Sequence, residues 1–275
     1  MSGGLLPAWS GAFVAGRLPV APTLGLPGVI TPQWAWGACT GAGVRVAVID
    51  SGIDGDHRLV GGVDGAVIVE PDANADDGVR MIEGPHGDLF GHGTACAGII
   101  RTLAPGCALY SVRVLGEKLT GRARCFAHGL DWAIEHDMQV VNLSLSTTNE
   151  DWLLSFFDLA DQALRKRIMV VCALSNETKT SIPAELGSVF SVAATDTTDP
   201  EGFFVNPDPP AEWGAPGIDV EVAWLDGATT TATGNSFAAP HLSGLIARIL
   251  AEHPGLTCWQ MKTILAELAA NRPEM

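Results

Sequence analysis

Two apolar rhythms alternate along the chain. Nearly continuous runs of Val, Ile and Leu occur at VRVAVID (44–50), ALYSVRVL (108–115), QVVNLSL (139–145), RIMVVCAL (167–174) and VFSVAAT (189–195). Their length and β-branched content predict strands buried on both faces. Between them, three- and four-residue apolar spacing predicts helices after His92, over roughly 122–136 and 151–166, and again from Ser236. Such strands separated by helices imply one doubly wound α/β domain, a mostly parallel sheet with helices on both faces. Residues 1–40 are rich in Gly and Pro, carry neither rhythm, and read as an extended N-terminal arm; residues 41–275 form the domain.

The stretch GNSFAAPHLSG (234–244) places a proline four residues after a serine. Proline belongs in a helix's first turn, so Pro240 predicts a start close to Ser236 and a hydroxyl held at the helix N-terminus. In doubly wound sheets, reactive groups gather where strands end and helices begin. Asp50 ends the first strong strand, His92 opens the helix of FGHGTACAGII, and Ser236 opens the helix of GNSFAAPH. Taken singly, they read as a turn residue, a core histidine and a helix cap. Taken together, they supply a nucleophile, a base and a carboxylate to fix the base's tautomer. Asp…His…Ser is one of the chain orders known for that triad.

VAVIDSGID, GHGTACAGII and GNSFAAPHLSG resemble the three signature blocks of the subtilisin-like serine peptidases, with some proteinase K-like features. The likeness runs from about Gly41 to the helix ending near Ala269. It implies a serine endopeptidase that forms an acyl-enzyme on Ser236, with His92 as base, Asp50 as its orienting carboxylate, and no metal or organic cofactor. It also implies that Asn176, in VVCALSNET, is the side chain that stabilises the oxyanion. By the same resemblance, Ser144-Leu145-Ser146 is the substrate-binding strand, and Ser175 and Ser181 border the primary pocket. Ser146, Ser175 and Ser181 stand where the family commonly has glycine, which predicts a narrow pocket for small side chains. Across the cleft, Gly121 is expected to pair its backbone with an extended peptide, while Ala123 leaves the distal pocket open. The chain departs from the family at Ala95, where a second histidine is common; Cys96 follows, placing a thiol beneath His92.

Charge and cysteine content narrow the partners. Sixteen basic against 31 acidic residues leave a net charge of −15, which repels phosphate backbones and argues against nucleic acid. No apolar run approaches the ~20 residues that span a bilayer, which argues against a membrane. The first 22 residues lack a basic start followed by an apolar segment, so no secretory signal is read there. The six cysteines are scattered without a C-x-x-C pair, so we expect free thiols in a reducing, cytoplasmic compartment. The family resemblance implies a peptide or protein substrate and, in such a compartment, a specific processing (maturation) role. The arm segment GRLPVAPTLGLP (16–27) either lies across the cleft as an inhibitory strand or packs on the surface. The loop from Asp72 to Glu83 offers calcium-type ligands at Asp72, Asn74, Asp76 and Glu83. Its glycine, Gly78, falls one position late for such a site, so it reads as a solvated acidic loop. Two other functions stay open: a peptide-binding protein that does not cleave, and an esterase.

Overall fold

A computed structural model describes residues 29–272. The first strand, β1 (Arg45–Asp50), lies inside a nine-stranded sheet of order β3-β2-β4-β1-β5-β6-β7-β9-β8. The other strands are β2 (Gly65–Pro71), β3 (Val79–Glu83), β4 (Ala108–Arg113), β5 (Val140–Leu143), β6 (Met169–Ala173), β7 (Phe190–Thr195), β8 (Phe204–Val205) and β9 (Trp213–Pro216). Neighbours from β2 through β9 are parallel, and the two outermost strands, β3 and β8, run antiparallel. All five apolar runs become interior strands, within a few residues of their expected limits.

The side-chain period of two explains why those runs are apolar throughout. On β1, Val46 and Val48 enter a core beneath helices α2 (His92–Leu103), α5 (Asn235–Glu252) and α6 (Cys258–Leu268). Ala47 and Ile49 enter the opposite core, beneath α3 (Ala123–Glu135) and α4 (Leu153–Arg165). Strand β6 divides in the same way, with Met169, Val171 and Ala173 on one side and Val170 and Cys172 on the other. Each alternate residue therefore has a helix layer to bury against.

Three expectations need correction. Strands β2, β3, β8 and β9 lie outside the five predicted runs. The described part of the arm is not extended: α1 (Pro32–Ala35) is capped by Thr31, whose hydroxyl accepts the Trp34 N–H, and Ala35 and Trp36 are buried. The proposed blocking segment, 16–27, lies outside the described residues. Finally, Pro240 is the sixth residue of α5 rather than a first-turn residue.

The acidic loop joins β2 to β3, an antiparallel pair. Asp72 Oδ1 accepts the Asn74 N–H at 2.8 Å, and Asp77 Oδ1 accepts the Val79 N–H at 3.3 Å. Val79 pairs with Pro71 beside the loop, but Glu83 pairs with Val67 at the far end of the hairpin. At ~3.3 Å per residue, Glu83 is roughly 13 Å farther along the strand and cannot complete a ligand set with Asp72. The described residues form no helix long and apolar enough to cross a membrane.

Candidate active site

The strand order reverses at β1, whose neighbours β4 and β5 lead the chain to opposite sides of the sheet. A crevice opens at the carboxyl end of such a switch point. Asp50 ends β1, Ser144 follows β5, Asn176 follows β6, and His92 and Ser236 stand at the starts of α2 and α5. A cleft of about 450 Å³ there is lined by His92, Gly121, Ser144, Leu145, Ser146, Ser175, Asn176 and Ser236, among others.

Asp50 is fully buried, and His92 is 5% exposed. His92 Nδ1 lies 2.9 Å from both carboxylate oxygens of Asp50, and a nitrogen facing a carboxylate carries the proton. Nε2 is thus the ring nitrogen with a free lone pair. Burial is the largest single influence and would lower the imidazole pKa, but the Asp50 charge, the Asp50 hydrogen bond and the neighbouring Cys96 together outweigh it and hold the ring well above its ordinary range. Close approach of helix and strand requires Gly93, where a Cβ would sit 2.0 Å from the Gly52 carbonyl and 3.1 Å from Asp50 Cβ.

Asp88, which motif reading passed over, ties these two pieces together. One oxygen accepts the Ser51 hydroxyl and the N–H groups of Phe90 and Gly91; the other accepts the N–H and hydroxyl of Thr94. It caps α2, whose N-cap residue Gly91 has no side chain to do so. A carboxylate four residues ahead of the helix was the available signal.

Ser236 carries a second consequence of its sequence. Pro240 has no N–H to donate to the Ser236 carbonyl, which would otherwise receive it within the helix. The Ser144 hydroxyl donates to that carbonyl instead, at 2.8 Å, and accepts the Asn142 Nδ2 hydrogen at 2.9 Å. Ser144 is buried and faces the serine's own helix, although it lines the cleft as well. Cys96 lies beneath the site: Sγ is 4.0 Å from His92 Nδ1 and 3.4 Å from the Ser144 hydroxyl, and burial raises its pKa so that it stays a thiol. Asp50, His92 and Cys96 are the one close group of potential metal ligands among the described residues, and the Asp50–His92 hydrogen bond already engages two of them.

Asn176 is exposed at the cleft edge. Its Oδ1 accepts the Asn235 N–H at 2.8 Å, which leaves the Nδ2 hydrogens as its donors. Gly234 permits this fit, since a Cβ there would press within 3.3 Å of Asn176 Nδ2 and 3.4 Å of Ser236 Oγ.

The three serines at expected glycine positions separate. Ser146 lines the cleft. Ser175 also lines it, while its hydroxyl accepts the Glu177 N–H. Ser181 is buried away from it: its hydroxyl accepts the Ser175 N–H at 2.8 Å and donates to the Lys179 carbonyl. Ser181 thus braces the loop bearing Asn176 and does not narrow the pocket. Beside it, Thr147 and Ile182 exchange both backbone hydrogen bonds, anchoring the cleft strand to this loop.

A serine hydroxyl at a helix start, a carboxylate-paired imidazole and an amide side chain around one cleft are the parts found in acyl-transfer hydrolases. Residues 41–274 match the subtilase family. The chain is 31% identical to subtilisin of Bacillus pumilus over 84% of this chain and 85% of that one. It is likewise 31% identical to subtilisin E of Bacillus subtilis (strain 168), over 84% of this chain and 61% of that one. A crystal structure of a cold adapted subtilisin-like serine proteinase superposes with a TM-score of 0.66 at 26% identity, covering 83% of each chain. The chain belongs to the subtilase family and is, by that membership, a subtilisin-like serine endopeptidase.

Proposed function

We propose that Ser236, His92 and Asp50 act as the catalytic triad of this chain and Asn176 as its oxyanion donor. The observation that carries the assignment is the buried Asp50–His92 contact at 2.9 Å, opening on a cleft that also holds Ser236 and Asn176. His92 Nε2 takes the Ser236 proton as Oγ attacks the scissile carbonyl, then returns it to the leaving amine. Asp50 holds the tautomer and stabilises the imidazolium. Negative charge on the tetrahedral intermediate meets Asn176 Nδ2 and the Ser236 N–H at the positive end of α5. Water then hydrolyses the acyl-enzyme.

The substrate is an extended peptide laid between Gly121 and Ser144–Ser146, with a small side chain in the pocket bordered by Ser146 and Ser175. Five buried, unpaired cysteines favour a reducing compartment, and the small pocket favours a selective, processing role there.

The test is profiling of a peptide library, with Ser236→Ala as control. Wild-type protein should cleave preferentially after small residues and label with a fluorophosphonate, whereas folded Ser236→Ala should do neither. Cleavage by that variant would eliminate Ser236 as nucleophile, and peptide binding without turnover by wild type would point to a non-cleaving protein. Turnover of esters but not peptides would favour the esterase.

A further inference from the structure

The residue before the nucleophile, Asn235, makes more polar contacts than its place beside the cleft requires. Its Oδ1 accepts the Ala194 N–H at 2.8 Å, and its Nδ2 donates to the carbonyls of Leu174 at 3.2 Å and Ser175 at 2.9 Å. All of its side-chain hydrogen-bonding groups are engaged, on chain just after β6 and within β7. Its own backbone N–H donates to Asn176 Oδ1 at 2.8 Å. Three segments thus meet on one residue: the start of α5, the loop after β6 that carries Asn176, and β7.

We infer that Asn235 is a positioning residue that aims the Asn176 amide at the oxyanion. An amide side chain can present either its oxygen or its NH₂ to the cleft, and only the NH₂ stabilises negative charge. Asn176 is exposed, so packing does not choose between the two. The Asn235 N–H makes the choice, because it can meet only the oxygen. Its aim depends in turn on the peptide plane between Gly234 and Asn235, and Gly234 by itself adds little stiffness. The Asn235 side chain supplies that stiffness by pinning the peptide to the same loop from which Asn176 extends. Its bonds to Leu174 and Ser175 hold the two residues immediately before Asn176, so orienting group and oriented group share one frame.

The inference rests on Asn176 as oxyanion donor, and a double-mutant cycle separates the two. Asn176→Ala should lower kcat by roughly 10²–10³-fold. Asn235→Ala should lower kcat by about tenfold or more with KM within twofold, since a misdirected amide forfeits an interaction made only in the transition state. In the Asn176→Ala background, Asn235→Ala should change kcat by less than about twofold. Melting temperatures of all four proteins distinguish this from simple loss of stability, which would act equally in both backgrounds. If Asn235→Ala does not fold, Asn235→Asp takes its place in the cycle, because it keeps the acceptor for Ala194 and the side-chain shape but loses both donors. Equal losses in the two backgrounds would overturn the positioning role and leave the oxyanion assignment intact. Unchanged kcat in Asn176→Ala would remove the oxyanion assignment and the positioning role with it.

Discussion

The Ser144–Pro240 pair offers a test of how the nucleophile's helix is built. Ser144→Ala removes the hydroxyl that donates to the Ser236 carbonyl at 2.8 Å and accepts from Asn142 Nδ2 at 2.9 Å. Asn142 is fully buried and has Ser144 as the partner for that amide, so both the carbonyl and the amide lose their bonds. Each orphaned group costs about 1–3 kcal/mol. Cys96 recovers little, because its thiol is a weak donor 3.6 Å from the same carbonyl. We expect Ser144→Ala to destabilise by about 3 kcal/mol. Pro240→Ala restores an N–H four residues after Ser236, where a regular helix would use it for that carbonyl. In the Pro240→Ala background the carbonyl is already satisfied, so Ser144→Ala should cost only about 1–2 kcal/mol, for Asn142 alone. The coupling should therefore be about 1–2 kcal/mol. Urea unfolding of the four proteins measures it, all in a Ser236→Ala background so that self-digestion cannot contribute. Equal costs of Ser144→Ala with and without Pro240, within about 0.5 kcal/mol, would refute the idea that this hydroxyl replaces the proline's missing donor.

Three further outcomes follow from the structure. With His92 held above its ordinary pKa by Asp50, kcat/KM should begin to fall on acidification at a pH above the ~6.5 of free imidazole. The same pair stabilises the fold fully below ~6.5 and loses its contribution as pH rises through the raised value. Urea midpoints should thus decline over that window, and not in Asp50→Asn; an acid limb at or below pH 6.5 would contradict the raised pKa. Separately, Arg248 in α5 is 9% exposed, donates to the carbonyls of Cys39 and Gly37 at 2.9 and 3.0 Å, pairs with Glu201, and lies over the Trp36 ring. Arg248→Met should cost about 3 kcal/mol in urea unfolding by freeing the segment after α1 from the serine-bearing helix; a loss under about 1 kcal/mol would mean that water replaces those bonds.

The interior of this protein was legible in its sequence because each central strand buries both faces, which forces unbroken apolar runs such as those at 44–50 and 167–174. Asp50, His92 and Ser236 were legible because strand ends and helix starts converge at the switch point of such a sheet. The short strands at one flank were not: β8, at the edge, has two residues and β9, beside it, four, and the neighbours they pair with, rather than any run of their own, hold them in place. Asn176 stood out only through family resemblance, since one asparagine in a turn has no pattern of its own. Which way a polar side chain turns was decided by the tertiary structure alone. Ser146 and Ser181 occupy comparable glycine-like positions, yet one faces the cleft and the other a backbone N–H. Ser144 serves a carbonyl 92 residues away because a proline there removed its usual donor. Hydrogen bonds of this kind depend on where distant segments come to rest, and local sequence records the polar group without recording its partner.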